Sequence, residues 1–364
     1  MIKIARETLE PYLASLLGAP VRILALEPLR PDGPAGASKR YGYGAPLRVE
    51  YEAAGRLRRA VLTTVRPGPF GHEDMSDRAR LLLWSHRAYN RLPRHARSLD
   101  VGAILAPGNL VSLGAAEEFF LLTNFIEGRG YHEDLDGLKN LETPSALDLG
   151  RADALCDYLC EIHRLRGPDP ALYTRRIREL VGHPECVMGL IDSYPRRHGF
   201  ITRELLQDVE RLCVEWRWRL KDLTYRLRQV HGDFHPWNIL FHGPREFTVL
   251  DRSRGEWGEP ADDVASLTLN YLFFALRRRG RPEGALDVLF RRFWSRYLSR
   301  SGDRQMLEVV PPFFAFRALV LASPLWYPDL PESVRRLLFR FMRNVLRHSR
   351  FDPERVPSYL ERDP

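Results

Sequence analysis

The stretch that most restricts the fold of this chain is residues 230–267, VHGDFHPWNILFHGPREFTVLDRSRGEWGEPADDVASL. A short apolar run enters a polar loop, and a strand-like run, EFTVLD, ends at Asp251. A helical pattern then begins near residue 261 with two acids in its first turn. Asp233 and Asn238 stand five residues apart in the loop, Asp251 closes the neighbouring strand, and Asp263 opens the helix. A strand–loop–strand unit over about 228–251 can therefore present one amide and two carboxylates toward one place. Alone, Asp263 reads as an acid favoured at a helix N-terminus by the helix dipole, and a lone His-Gly-Asp reads as a turn.

The rest of the chain divides around this unit. Residues 3–17 have a helical pattern, and VRILALEP at 21–28 reads as a strand, followed by a Gly/Pro-rich stretch. LRVEYEA at 47–53 and RRAVLTTV at 58–65 read as strands around an Ala54-Gly55 turn. Ser76 is the expected N-cap of a helix reaching about Arg91, and 109–126 reads as a strand pair, NLVSLG and EEFFLLTNFI. After Glu127-Gly128 the pattern turns helical over 146–165, over 202–224, and from about 261 onward. The fold class this order predicts is α+β: a small β-rich N-lobe with one main helix (1–126), then a larger, mostly helical C-lobe (127–364).

Charge narrows the partners. The net charge of +8 comes almost wholly from arginine, since the lysines are Lys3, Lys39, Lys139 and Lys221. The arginines are interleaved with acids along helices and no nucleic-acid motif accompanies them, so a solvated or ion-paired surface is expected and a nucleic-acid partner is not. No run reaches the roughly 20 apolar residues of a membrane span. The N-terminus breaks its apolar pattern with Arg6, Glu7 and Glu10, so it reads as an amphipathic helix and not a signal peptide, which points to a cytoplasmic protein with no membrane partner. The cysteines, Cys156, Cys160, Cys186 and Cys213, form no CxxC pair and read as small buried hydrophobes.

The chemistry that suits one amide and two carboxylates is phosphoryl transfer. It needs a positioned acceptor hydroxyl, a carboxylate to take its proton, and Mg²⁺ held against phosphates by one or two hard oxygen ligands. The spacing D-x₄-N followed by a strand-end Asp is that of a kinase catalytic loop and its metal-binding Asp. HGDFHPWN resembles the HGDxxxxN signature of the aminoglycoside phosphotransferase and choline kinase family, and Asp251, Gly258, Pro260 and Asp263 match its D-x₆-G-x-P-x₂-D pattern. EIHRL at 161–165 is similar to the family's helix-borne histidine, FIEG at 125–128 to its lobe linker, and weaker similarity covers most of the chain. The resemblance implies a bilobal protein-kinase-like fold and Mg²⁺-dependent transfer from ATP or GTP to a hydroxyl of a small molecule. It further implies that Asp233 is the base, that Asn238 and Asp251 are Mg²⁺ ligands, and that His231 and Asp263 brace the loop.

The N-terminal third departs from that pattern. Such folds place a lysine on the third strand, yet Ala60–Arg66 carries Thr63 near that position, and Glu73 and Asp77 are poorly placed helix partners. Lys39 or Arg40 beside the glycines Gly42 and Gly44, or else Arg66, are the alternative phosphate contacts; without one, the chain binds nucleotide and transfers nothing. A second departure is Arg252-Ser253 after Asp251, with Arg252 directed either to phosphate or to solvent. A rival reading takes His231, Asp233 and His235 as an H-x-D-x-H cluster of a metallohydrolase, which leaves Asn238, Asp251 and Asp263 unexplained. The acceptor is undefined. Residues 276–364 hold eighteen arginines against ten acids, which disfavours a polycation, and Trp216, Trp218, Trp257, Tyr271 and Trp326 are candidates to pack a sugar ring, with core packing expected for most.

Overall fold

The computed structural model describes residues 4–29 and 44–361. The chain separates into two compact units, Met1–Thr123 and Asn124–Pro364, parting a few residues before the expected 126/127 boundary.

In the first unit, α1 (Arg6–Leu17) packs on an antiparallel sheet of β1 (Val21–Pro28), β2 (Gly44–Ala53) and β3 (Arg56–Val65). Its core is Leu9 and Leu13 against Ile23, Val49, Tyr51 and Ala53. The β2–β3 hairpin closes through Ala54 (φ 52°) and Gly55 (φ 69°), with Ala53 opposite Arg56. Two left-handed residues match the twist of the strands they join, and the alanine accepts a small steric cost for it. Helix α2 (Met75–Tyr89) and a short hairpin, β4 (Gly102–Ile104) with β5 (Leu110–Ser112), complete the unit.

Two expectations fail here. The N-cap of α2 is Asp74 and not Ser76: Asp74 accepts from the Ser76 amide at 3.0 Å, and Asp77 reaches back to the Asp74 amide at 3.0 Å. Asp is at least as good a cap as Ser, and an acid three residues on closes the reciprocal pair. Asp77 is thereby committed to a cap. The strand expected in EEFFLLTNFI does not form, and Phe120 (91% exposed), Leu121, Leu122 and Phe125 are exposed. An apolar run becomes a strand only where a neighbour offers a hydrogen-bonding edge, and the segment takes up none.

The second unit is mostly helical. After β6 (Arg129–Gly130) come α3 (Tyr131–Leu138), α4 (Ala146–Ile162), α5 (Ala171–Gly182), α6 (Val187–Ser193) and α7 (Arg203–Leu220). Four short strands follow: β7 (Arg228–Gln229), β8 (Ile239–Phe241), β9 (Phe247–Val249) and β10 (Trp257–Gly258). The chain then runs through α8 (Ala261–Arg279), α9 (Ala285–Ser301), α10 (Met306–Val309), α11 (Pro311–Ala322), α12 (Glu332–Arg347) and α13 (Val356–Tyr359).

Helix α8 is the axis of this unit, with Val264 through Leu276 buried on every side. A helix so enclosed is wrapped by others, here α9, α11 and α12. It stops at Gly280, which adopts φ 68°. All four cysteines are free and buried. Surface arginines pair with acids across α4 and α9, as Arg292 does with Asp153 (2.7 Å) and Arg296 with Asp157 (2.8 Å). No described helix is long and apolar enough to cross a membrane. Of the suggested stacking aromatics, Trp216 and Tyr271 are core residues, Trp257 is half-buried, and Trp218 and Trp326 are exposed.

Candidate active site

Two small strand pairs hold the polar loop at its ends. Strand β7 pairs antiparallel with β10, Gln229 opposite Trp257, and β8 pairs with β9, Ile239 opposite Val249. Between them residues 230–238 have no ladder of their own, so their amides need other acceptors, side chains among them. Asp263, wholly buried in the first turn of α8, does this: its carboxylate accepts the amides of His231 and Gly232, each at 2.8 Å. His163, just past α4, lies with Nε2 3.2 Å from Asp263 and Nδ1 2.8 Å from the Tyr297 hydroxyl. Burial alone would raise the Asp263 carboxyl, but hydrogen bonds, first from the His163 ring and then from the His231 amide, hold it below its ordinary value. The brace is therefore anionic.

The loop turns at Gly232, with φ 85°. A side chain there would enter the left-handed region and place its Cβ 3.2 Å from the Cβ of Arg254. Gly232→Ala should therefore cost about 1–2 kcal/mol, and turnover should fall further than thermal stability, because the strain sits one residue from Asp233. Thermal melts and ADP release measured together check this.

Past the turn, Phe234 is buried against Tyr158 and anchors the loop, while Asp233 beside it keeps part of its side chain exposed. The Asp233 carboxylate meets three groups. Arg317 of α11 donates to it through Nη1, His235 Nε2 lies 3.5 Å away, and Arg254 adds charge from further off. Loss of hydration would raise this carboxyl; Arg317 first, then His235, outweigh that and drive it far below the usual carboxylate range. The same guanidinium donates to Asp262 (2.6 and 3.0 Å) and to the Gly232 carbonyl (2.8 Å). Asp262 moves the other way, raised by burial that Arg317 and Arg254 only partly offset.

Asn238 and Asp251 stand together at the far end of the loop. The Ile239–Val249 pairing sets Asn238 beside Leu250, whose amide donates to the Asn238 carbonyl at 2.8 Å. The Asn238 side-chain amide donates to the Asp233 carbonyl at 3.0 Å, which leaves its Oδ1 free to face outward. Asp251 is exposed, adopts φ 54°, and forms no hydrogen bond or ion pair with a described residue. Two uncommitted hard oxygens, the Asn238 amide oxygen and the Asp251 carboxylate, fit Mg²⁺, which needs only one or two protein ligands when phosphates and water fill the rest. They do not fit zinc, because His231, Asp233 and His235 fail to converge. His231 Nδ1 accepts the Asp233 amide (3.3 Å), His235 Nδ1 accepts the Trp237 amide (3.2 Å), and Arg317 holds Asp233. No three His, Cys, Asp or Glu side chains among the described residues group as a metal site. Burial holds the His231 ring below its ordinary value against the pull of Asp263 and Asp233, so it stays neutral at pH 7.

Arg252 is exposed, and its guanidinium donates to the Val230 carbonyl (2.8 and 3.1 Å) and the Glu256 carbonyl (3.1 Å), tying the loop's entry to the strand beyond. Of the expected phosphate contacts, Lys39, Arg40 and Gly42 lie outside the described residues. Gly44, expected in a loop, is the exposed first residue of β2 opposite Val65, and Arg66 is exposed just past β3.

Sequence reasoning missed two groups. One is Arg317, the single charge in PPFFAFRALVLA; an arginine inside so apolar a helix must be buried and paired, and that signal was legible. The other is Glu259, buried between Gly258 and Pro260, whose carboxylate accepts from Arg226 (2.7 and 2.8 Å) and the Tyr173 hydroxyl (2.7 Å).

Comparison with known proteins places these features in context. Residues 49–293 match the family model described as the phosphotransferase enzyme family. No curated protein matches the chain in sequence. Among solved structures, the chain is similar to a thermostable mutant of the aminoglycoside phosphotransferase APH(4)-Ia (14% identity, 93% of this chain and 98% of that chain covered, TM-score 0.38). It is similar also to the aminoglycoside phosphotransferase APH(3'')-Id from Streptomyces rimosus (18%, 86% and 99%, 0.34) and to choline kinase LicA from Streptococcus pneumoniae (12%, 93% and 98%, 0.36). These likenesses are weak in identity and in superposition, and the family assignment rests on the sequence match.

Proposed function

The chain belongs to the phosphotransferase enzyme family, and on that footing we propose that it moves the γ-phosphoryl group of ATP or GTP, held with Mg²⁺, onto a hydroxyl of a small molecule. The observation that carries this reading is the set of oxygens around one braced loop: an ionised Asp233 held by Arg317, with Asn238 Oδ1 and the Asp251 carboxylate, unpartnered among the described residues, at its end.

In this reading Asp233 orients the acceptor hydroxyl and receives its proton. A carboxylate so depressed is a weak base, which suits a loose transition state in which the proton leaves late and positioning matters most. Asn238 and Asp251 would hold Mg²⁺, which neutralises charge on the transferred group. Asp263, through the His231 and Gly232 amides, keeps Asp233 at one height, and Arg317 fixes its rotamer from the other side.

The test is ADP release against a panel of hydroxyl-bearing metabolites, with and without Mg²⁺. Asp251→Ala and Asn238→Ala should each lower turnover about 100-fold at fixed Mg²⁺, since ligating the ion contributes several kcal/mol to transition-state stabilisation, and excess Mg²⁺ should restore part of it. If both variants keep wild-type turnover and Mg²⁺ dependence, the metal assignment is wrong.

One observation favours a second reading, a nucleotide-binding protein without turnover: Thr63, near the expected lysine position of β3, is exposed, and the strand has no lysine. Mg²⁺-dependent nucleotide binding with no ADP from any acceptor selects it.

A further inference from the structure

We propose that a cavity between the end of α3 and the last turn of α8 receives an anionic group, carboxylate or phosphate, carried by the acceptor. The inference deepens the phosphotransfer reading and rests on it for the word acceptor. The cavity encloses about 310 Å³ and is lined by Asp136, Lys139, Asn140, Phe274, Arg277 and Arg278. That is at the small end of the roughly 300–1,000 Å³ of ligand pockets, and it suits one charged group with a few attached carbons.

Its charge is unbalanced. Lys139 and Asp136 neutralise each other at 2.7 Å, and Arg278 Nε is occupied by the Asn140 side-chain oxygen at 2.7 Å. The neighbouring Arg279, outside the cavity, has Glu142 at 2.8 Å and Glu283 at 3.4 Å. Arg277 differs. No carboxylate among the described residues pairs with it, and its guanidinium lies against the rings of Phe273 and Phe274 at 5.5 and 5.8 Å. Arginines near a helix C-terminus are favoured by the dipole, and Arg278 and Arg279 already meet that need. The dipole does not account for an open cavity in front of two arginines that no carboxylate among the described residues pairs with, of which Arg277 also lacks a side-chain oxygen. A guanidinium lying on aromatic rings keeps its N–H groups for a planar or tetrahedral oxyanion.

A layer of rings lies between the cavity and the loop. Phe274, in its wall, packs on Trp237 at 5.9 Å, and Trp237 packs on His235 at 5.8 Å, whose Nε2 lies 3.5 Å from Asp233. His132 of α3 stacks on the same indole at 5.3 Å. An acceptor whose charge sits at Arg277 while its hydroxyl meets Asp233 must therefore be extended, with the two groups at opposite ends.

Titration calorimetry on the full chain tests this, using a sugar and its amino, carboxylate and terminal-phosphate derivatives, with inorganic phosphate as the free-anion control. The anionic derivatives should bind at least tenfold tighter than the amino and neutral forms. Arg277→Gln should weaken them about tenfold and Arg277→Glu should abolish the preference. Arg292→Gln, which removes the same charge from a surface pair with Asp153, should stay within twofold of wild type. Equal binding of amino and anionic forms overturns the proposal, as does full affinity in Arg277→Glu with an unchanged circular dichroism spectrum. Inorganic phosphate binding as tightly as the sugar phosphate overturns it too, because the cavity then serves a free anion. The readout is binding, so the expected pattern without ADP release from any acceptor removes the phosphotransfer reading and leaves the anion site standing.

Discussion

Asp233→Asn lowers kcat by about 10³-fold, within the 10²–10⁴ that a positioned general base contributes, while nucleotide affinity stays near that of the wild type. The substitution keeps shape and an oxygen for Arg317 but cannot take up a proton. Arg317 retains Asp262 and the Gly232 carbonyl, so stability should change by only about 1–2 kcal/mol. Steady-state kinetics and a thermal melt on the same sample separate the two roles. If activity falls only as far as the folded fraction falls, Asp233 is merely the partner of Arg317.

The pH dependence follows from the same geometry. Asp233 is depressed in the folded chain relative to an ordinary aspartate near 3.9. Its contribution to stability is therefore complete above about pH 4 and is lost as pH falls through the folded value. Any acid limb of kcat near neutrality must then come from another group. Arg317→Met should move the Asp233 limb upward into the measurable range, a shift that a purely structural arginine would not produce.

How much of this was legible in the sequence depends on whether the interaction is local in the chain. The order of Asp233, Asn238, Asp251 and Asp263 survives folding as proximity because two short strand pairs and one helix start link them within a single segment. The Ala54-Gly55 hairpin was readable for the same reason. Partners distant in sequence were not: Arg317 reaches Asp233 across 84 positions and Tyr297 reaches His163 across 134. Only the oddity of an arginine in an apolar helix hinted at the first. EEFFLLTNFI misled because apolar, β-prone composition specifies what a strand would bury without supplying the edge it would pair with. Ser76 misled because Asp74, two residues earlier, makes the reciprocal cap with Asp77 that Ser76 cannot.

Glu259→Ala should produce the largest loss of stability, about 3–5 kcal/mol, the range for removing one partner of a buried ion pair. Arg226 and Glu259 are almost fully buried, and the guanidinium also grips Asp303 with two bonds of 2.8 Å. Removing Glu259 leaves the Tyr173 hydroxyl and two N–H groups of Arg226 without acceptors in a space too enclosed for free hydration. At roughly 2–4 °C per kcal/mol for a unit of this size, the transition of Asn124–Pro364 should drop by about 10 °C. The variant should lose activity as well, because Glu259 directly follows β10 and Arg226 stands two residues before β7, the strand that pairs with it, so the cluster clamps one end of the strand pair whose other end opens into the loop. The double variant Arg226→Met, Glu259→Met should recover part of the stability, since apolar replacement removes the stranded charge, though Asp303 then has only solvent to face. A single variant that melts within 1 kcal/mol of wild type would mean that water already reaches the cluster, and the loop's rigidity would have to be attributed to Asp263, Arg252 and Arg317.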